Sequence, residues 1–137
     1  MEKVKLIGQT KDVGFQLGIR RTFPISYDKA WDLLFSDNGL KIWIGELISG
    51  DFSINQDYQT KEGISGCIKV FKPFSHIRLT WKKNEWQNVS TLQIRIIVSK
   101  SGTTISFHQE KLLDNNQRAE MKKHWENILT KLTDKIE

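Results

Sequence analysis

The longest uninterrupted periodic stretch of the chain is its C-terminal segment, which contains no Gly or Pro from Asp114 to Glu137. Its apolar residues recur at the i, i+3, i+4, i+7 spacing of one helical stripe. They are Met121, Trp125, Ile128, Leu129, Leu132 and Ile136. Asp114 and the two asparagines after it supply capping side chains just ahead of the first turn. The pattern predicts one long amphipathic helix, which needs an apolar surface to cover.

The rest of the chain predicts strands that can supply this surface. Alternating or short apolar runs predict strands over 16–23, 47–54, 58–61, 67–71, 76–83, 89–99 and 103–110. Two short helices are predicted after the first strand, one capped by Ser26 and one over Leu40–Ile44. The absence of strand–helix–strand alternation argues against a parallel sheet. The order predicts an α+β fold, with a curved antiparallel sheet covered by the C-terminal helix.

Length and composition predict one globular domain. The chain has 137 residues, 38% of them hydrophobic and 27% charged, which is enough for a real core. No apolar run approaches the ~20 residues of a membrane span, and the N-terminus leads into no signal-peptide core. We therefore expect a cytoplasmic protein with a single domain over 1–137, in which 1–15 is an arm or edge strand. Cys67, the only cysteine, excludes an intrachain disulfide and a cysteine-type zinc site.

The net charge of +5 is unevenly distributed. Residues 72–100 carry six basic side chains against Glu85 alone. The six are Lys72, Arg78, Lys82, Lys83, Arg95 and Lys100. Because they alternate with apolar residues, they predict the solvated face of a sheet, and no nucleic-acid-binding motif accompanies them.

The sequence contains no motif that names a reaction. Nucleotide-binding glycine motifs, HExxH and GxSxG are all absent. His76, His108 and His124 have no metal-ligand spacing, so we expect solvated or locally hydrogen-bonded imidazoles. Cys67 lies within a predicted strand, where a small buried hydrophobe is the expected role. The sequence therefore predicts no catalytic residue, no metal site and no cofactor.

Aromatic residues are abundant, with five Trp, seven Phe and two Tyr. Some of them must pack under the C-terminal helix. If the sheet curves around the helix without filling the space, the gap is an apolar pocket suited to a small ligand. If the side chains fill it, the result is a packed core. The composition is consistent with both alternatives.

Several segments, in order, resemble one known superfamily. They are Ile19–Phe23, Pro24–Ser26, Ala30–Phe35, Leu40–Trp43, Gly66–Pro73, Ile77–Trp81, Thr103–His108 and His124–Leu132. They resemble the SRPBCC superfamily, the START/Bet v 1-like proteins. Within it they are most similar to the Aha1-like proteins, the group named for the activator of Hsp90 ATPase. The resemblance covers roughly residues 16–136.

The resemblance implies a helix-grip fold, in which six or so antiparallel strands wrap around a long C-terminal helix. It also implies a cavity between sheet and helix that holds a hydrophobic small molecule. It supplies no universal catalytic residues. The chain departs from the pattern at His124, where that group commonly has a Gly before the helix Trp, and in its first 15 residues.

Three functions remain open, and the first is a non-catalytic binding module. Its candidate cavity residues are Trp43 and Tyr58 at the mouth, Trp81 and Phe107 from the sheet, and Met121, Trp125 and Leu129 from the helix. The second is a co-chaperone or stress-related interaction protein, whose basic strand residues would meet an acidic partner. These residues are Arg78, Lys82, Lys83 and Arg95. The third is a cyclase or hydrolase, for which no catalytic dyad can be named. Either a monomer or a homodimer is compatible with the sequence.

Overall fold

The structure is a computed structural model that describes residues 9–10, 14–49 and 52–136. Within these ranges it contains eight strands and three helices. They are β1 Gln9–Thr10, β2 Gly14–Phe23, α1 Tyr27–Phe35, α2 Asp37–Trp43, β3 Leu47–Ser49, β4 Asp57–Thr60, β5 Ile64–Lys72, β6 His76–Lys83, β7 Ser90–Ser99, β8 Gly102–Leu112 and α3 Asn115–Ile136. The strands form one sheet in the order β1-β2-β8-β7-β6-β5-β4-β3, and every neighbouring pair is antiparallel.

The predicted helix-grip fold is confirmed. The alternating residues of the central strands place one apolar set on the inner face of the curved sheet. Ile94 pairs with Phe107, which pairs with Ile19, and this row continues across β7, β8 and β2. The stripe of α3 covers this face, and Trp125 and Leu132 are fully buried. Burial of each large apolar side chain stabilises the fold by about 1.5–3 kcal/mol.

The edge of the sheet beyond β6 differs from the sequence prediction. The strand predicted over 47–54 is only Leu47–Ser49, and residues 50–51 of that segment lie outside the described ranges. The turn or bulge predicted over 62–66 overlaps β5, which begins at Ile64 because this side chain is buried in the core. The bulge lies later, where the register of β5 and β6 shifts between Ile68 and Val70.

Polar side chains set two of the helix boundaries. Ser36 separates α1 from α2, and its hydroxyl accepts a hydrogen bond of 3.1 Å from the Gly39 N–H. The residues predicted to break the first helix therefore also begin the second, which starts at Asp37 rather than Leu40. At α3, Asp114 Oδ1 accepts a 2.8 Å hydrogen bond from the Gln117 N–H, as the capping prediction required. Ser26 precedes α1 without a side-chain capping bond.

Most of the predicted N-terminal arm, residues 1–8 and 11–13, lies outside the described ranges. Gln9 and Thr10 pair with Phe15 and Gly14 as a short edge strand. Among the described residues, no helix is both long and apolar enough to cross a membrane.

Candidate functional site

The middle of the interface between α3 and the sheet is filled by side chains. The Trp125 and Phe107 rings stack with centroids 4.7 Å apart and an interplanar angle of 13°. Trp125 Nε1 donates a 2.8 Å hydrogen bond to Gln109 Oε1, and Gln109 Nε2 donates to Ser90 Oγ at 2.9 Å. Met121 and Leu129 are also fully buried. We refer to this region, built around Trp125, Phe107 and Gln109, as the packed centre.

A cavity of about 340 Å³ lies beside the packed centre, between α2, α3 and the neighbouring ends of β5 and β6. Trp43 of α2, Trp81 of β6 and Ile128 of α3 give it apolar walls. Charged side chains also line it: Lys41, Lys83, Lys131 and Glu62. We refer to it as the α2–α3 cavity. It combines apolar walls with a few polar groups, as small-ligand sites commonly do.

Two residues that line this cavity each have a buried ring nitrogen with no hydrogen-bond partner in the described part of the chain. These nitrogens are Trp81 Nε1 and His124 Nε2. Trp81 is only 1% exposed, and its ring centroid lies 6.0 Å from that of His124. Trp43, by contrast, donates from Nε1 to the Leu34 carbonyl at 2.7 Å. Buried polar groups are normally paired, so these two nitrogens mark the cavity as unusual.

His124 is half-buried and packs edge-on against Trp125, with ring centroids 4.6 Å apart. The expectation of a solvated or locally hydrogen-bonded imidazole is therefore wrong at the Nε2 atom of this histidine. Its position on α3 turns the ring toward Trp81 rather than toward solvent. Burial, followed by the nearby Lys83 ammonium, lowers the pKa of His124 to about 4, although Glu120 opposes this shift. The imidazole is therefore neutral at pH 7.

The charges around the cavity have a positive excess. Lys83 forms an ion pair with Glu120.

Glu62 Oε1 accepts a 3.0 Å hydrogen bond from the Glu46 N–H, close to Gly45, where φ is +111°. A side chain at position 45 would meet the Glu62 carboxylate, so glycine serves both the backbone geometry and this contact.

Lys41 and Lys131 have no ion pair with any other residue that the structure describes. Both side chains are exposed at the cavity. Two ammonium groups therefore remain available to a bound molecule.

The structure distributes the seven predicted cavity residues over three places. Trp43 and Trp81 line the α2–α3 cavity. Tyr58 borders an open depression of about 480 Å³ formed by β4, β5 and β6, and its hydroxyl donates to the Thr80 carbonyl at 2.6 Å. Burial raises the pKa of this phenol. The other four lie in the packed centre: Phe107, Met121, Trp125 and Leu129. Ligand binding by these seven residues stays a prediction.

The sequence analysis did not select His124, Lys41 or Lys131 as site residues. Lysines on helices usually face solvent, so the presence of a lysine at positions 41 and 131 did not indicate a binding site. His124 did give one, because it replaces the Gly expected before the helix Trp.

The remaining candidate residues lie elsewhere. His76 Nδ1 is 2.9 Å from Ser75 Oγ, and His108 Nε2 is 3.2 Å from Gln16 Oε1, as expected of locally hydrogen-bonded imidazoles. Cys67 is half-buried rather than buried, because the adjacent Ile68 takes the inner face of β5. Among the described residues, no three His, Cys, Asp or Glu side chains are grouped to hold a metal ion.

A curved antiparallel sheet gripping a long C-terminal helix defines this chain as an SRPBCC-type protein. The family model described as Activator of Hsp90 ATPase homolog 1-like protein matches residues 25–137. The chain belongs to this family. No curated protein matches it.

Solved structures share the fold at low sequence identity. CalU16 from Micromonospora echinospora has a TM-score of 0.78 and 21% identity over 88% of this chain and 73% of its own. DynU16, from the dynemicin biosynthetic locus, has a TM-score of 0.78 and 12% identity over 88% of this chain, which spans only 46% of DynU16. PFC0360w, an HSP90 activator from Plasmodium falciparum, has a TM-score of 0.68 and 15% identity over 80% of this chain and 86% of its own.

Proposed function

We propose that this protein is a non-catalytic binding module that holds a small, largely apolar molecule in the α2–α3 cavity. The observation that carries the proposal is that two residues lining one cavity, Trp81 and His124, each have a buried ring nitrogen without a partner, Trp81 Nε1 and His124 Nε2. The proposed site and the sequence prediction share Trp43 and Trp81. The site lies beside the packed centre, against α2, rather than directly beneath the middle of α3.

Two physical arguments support this proposal. Leaving a buried donor or acceptor without a partner costs about 1–3 kcal/mol, and a bound molecule with a matching polar group offsets that cost. The cavity volume of about 340 Å³ also falls within the usual range for small-ligand sites. Trp43 and Trp81 offer the ligand large apolar surfaces, which commonly dominate such interfaces.

Native mass spectrometry after incubation with a panel of fatty acids, sterols, flavonoids and aromatic polyketides tests the proposal. We expect an added mass that disappears in the Ile42→Phe variant, because Ile42 lines the cavity and a larger side chain there fills it. Leu113→Phe is the matched control, since Leu113 is 56% exposed and does not line the cavity. Failure of every panel member to bind the wild-type protein would contradict the proposal.

A second candidate function is interaction with an acidic partner surface, such as that of a chaperone. Arg78, Lys82 and Arg95 alternate with buried residues of β6 and β7, so they lie on the outer face of the sheet. Arg95 lies opposite His76 in the register of β6 and β7. Burial lowers the pKa of His76, and the nearby charges of Arg95 and Lys72 lower it further. Lys83 belongs to the other face, where it borders the α2–α3 cavity. The family membership supports this candidate, because the similar PFC0360w is itself an HSP90 activator.

A pull-down from lysate tests the second candidate. The host's Hsp90-type chaperone should be recovered at low salt and lost when Arg95 is changed to Glu, whereas Lys122→Glu on the exposed side of α3 should have no effect. Failure to recover the chaperone at any ionic strength would count against this function.

A further inference from the structure

We infer that the ligand of the α2–α3 cavity carries a carboxylate on an apolar body. The carboxylate would accept a hydrogen bond from Trp81 Nε1–H and be attracted by the ammonium groups of Lys41 and Lys131. This inference rests on the proposed function and names the chemical class of its ligand.

The hydrogen-bonding chemistry of Trp81 gives the first argument. An indole N–H is only a donor, so its missing partner must be an acceptor. His124 Nε2 donates in one neutral tautomer and accepts in the other. In the Nε2–H tautomer, the two nitrogens present two donors to one ligand. A carboxylate has two acceptor oxygens and satisfies both, whereas a ligand ammonium group has no acceptor for the Trp81 N–H.

The charge of the lining gives the second argument. Lys83 is already paired with Glu120, and the Glu62 carboxylate is engaged by the Glu46 N–H. Lys41 and Lys131 are the lining cations that have no ion pair within the described residues. A neutral ligand would gain no charge attraction from these two exposed ammonium groups, and a cation would be repelled by them. An anion is therefore the charge type that the cavity favours.

The walls of the cavity give the third argument, because they exclude a small inorganic anion as the complete ligand. Trp43, Ile64 and Ile128 are buried apolar residues of the lining. An anion alone would leave the part of these side chains that faces the cavity in contact with water. An apolar body that covers it gains about 25 cal/mol for each Å² removed from water.

Naphthalene-1-acetate is a suitable probe, with naphthalene-1-acetamide as its neutral counterpart of nearly the same shape and acetate as the anion without an apolar body. Calorimetry at pH 7.5 should show the acid binding about tenfold more tightly than the amide, as one charge-assisted interaction predicts. In ¹H–¹⁵N spectra, the indole N–H signal that disappears in the Trp81→Phe variant is assigned to Trp81. The acid should shift this signal in the wild-type protein. Acetate should bind far more weakly than the acid.

Lysine variants keep the test independent of folding, because the side chains concerned are exposed. The double variant Lys41→Gln, Lys131→Gln should reduce the affinity for the acid to that for the amide. The matched control is Lys122→Gln, Lys123→Gln, which removes two charges from exposed positions of α3 outside the cavity. It should leave the preference for the acid unchanged.

The outcomes separate this inference from the function on which it rests. Equal affinity for acid and amide, or an acid preference that survives loss of Lys41 and Lys131, overturns the carboxylate inference and leaves a neutral-ligand module. Acetate binding as tightly as naphthalene-1-acetate overturns the apolar body. Absence of binding by both naphthalene compounds overturns the inference, while the mass-spectrometric panel decides the proposed function separately.

Discussion

Trp81 and Trp125 are neighbours in the same core, with ring centroids 6.0 Å apart, and yet their polar atoms have opposite surroundings. The Trp125 N–H donates to Gln109, which is itself bonded to Ser90. The Trp81 N–H has no partner within the described residues. Both side chains are almost fully buried. The difference therefore separates a part of the interface in which every buried polar group is bonded from a part in which a buried donor has no partner among the described residues.

The packed centre owes its completeness to a polar residue on an apolar face. Gln109 follows Phe107 on the inner face of β8 and is fully buried. Its amide pairs with both the helix indole and Ser90, whose hydroxyl in turn donates to the Trp81 carbonyl at 2.5 Å. A buried polar chain of this kind is stable only when every member is bonded. No equivalent residue reaches the Trp81 N–H from the described part of the chain.

Removal of the Trp125 side chain should have the largest effect. Trp125→Ala deletes a fully buried ring, its stack with Phe107 and the hydrogen bond to Gln109. We expect a loss of about 3–5 kcal/mol in the free energy of unfolding, as for other large-to-small core changes. Urea denaturation followed by circular dichroism measures it. A loss below about 1 kcal/mol would show that the packed centre does not hold the fold together.

The same conservative substitution at both tryptophans tests the comparison directly. Trp125→Phe leaves Gln109 Oε1 without its donor, so it should cost about 1–3 kcal/mol in the free energy of unfolding. Trp81→Phe removes a buried N–H that has no partner, and this gain offsets the loss of ring volume. The net cost in the free energy of unfolding should therefore be below about 1 kcal/mol. Parallel urea titrations of the two variants at pH 7 give the difference. Equal costs would mean that the two indoles are equally satisfied in solution.

The sequence predicted which side chains face the core better than where space remains between them, for a physical reason. Alternation in β7 and β8 and the 3.6-residue stripe of α3 identify which side chains face inward. Ile94, Phe107 and Trp125 follow directly from those periods. Periodicity does not say how closely neighbouring elements approach each other. The cavity is lined by α2, which begins at Asp37, where the sequence predicted a break rather than a helix start.

Local sequence patterns also could not predict which polar side chains form hydrogen bonds across the core. The bond from Trp125 to Gln109 joins residues 16 positions apart, and Trp43 bonds to Leu34 within the helix pair. Gln109 carried no signal of its own, because a single glutamine near the end of a strand usually faces solvent. His124 did stand out, since it departs from the family pattern, but the sequence did not connect it with a cavity.

Acid should destabilise the cavity side of the interface through His124. Burial lowers the pKa of His124 in the folded protein to about 4, from an ordinary value of 6.5. The unfolded chain therefore binds a proton first as the pH falls, so stability that is present above pH 6.5 is lost between about 6.5 and 4. Discounted for partial exposure, we expect a loss of about 1–2 kcal/mol from this residue between pH 7 and pH 4.5.

The His124→Gln variant isolates this effect, because other titrating groups contribute equally to both proteins and cancel in the difference. Lys83 of β6 and Lys131 of α3 face His124 and favour its neutral form, Glu120 opposes them, and Lys41 of α2 borders the same cavity. Urea titrations at pH 7 and 4.5 should show a smaller drop for the variant than for wild type. Equal drops would place the His124 pKa near its ordinary value and the imidazole in solvent.

The ion pair between Lys83 and Glu120 should have the smallest effect. The Glu120 side chain is 44% exposed, so solvent screens the attraction. Glu120→Gln should therefore change the free energy of unfolding by less than about 1 kcal/mol. The same change frees the Lys83 ammonium beside the cavity, so affinity for naphthalene-1-acetate should rise while affinity for the amide stays constant. A large loss of stability with unchanged affinity would make this pair a structural contact and would show that the Lys83 ammonium does not reach a bound carboxylate.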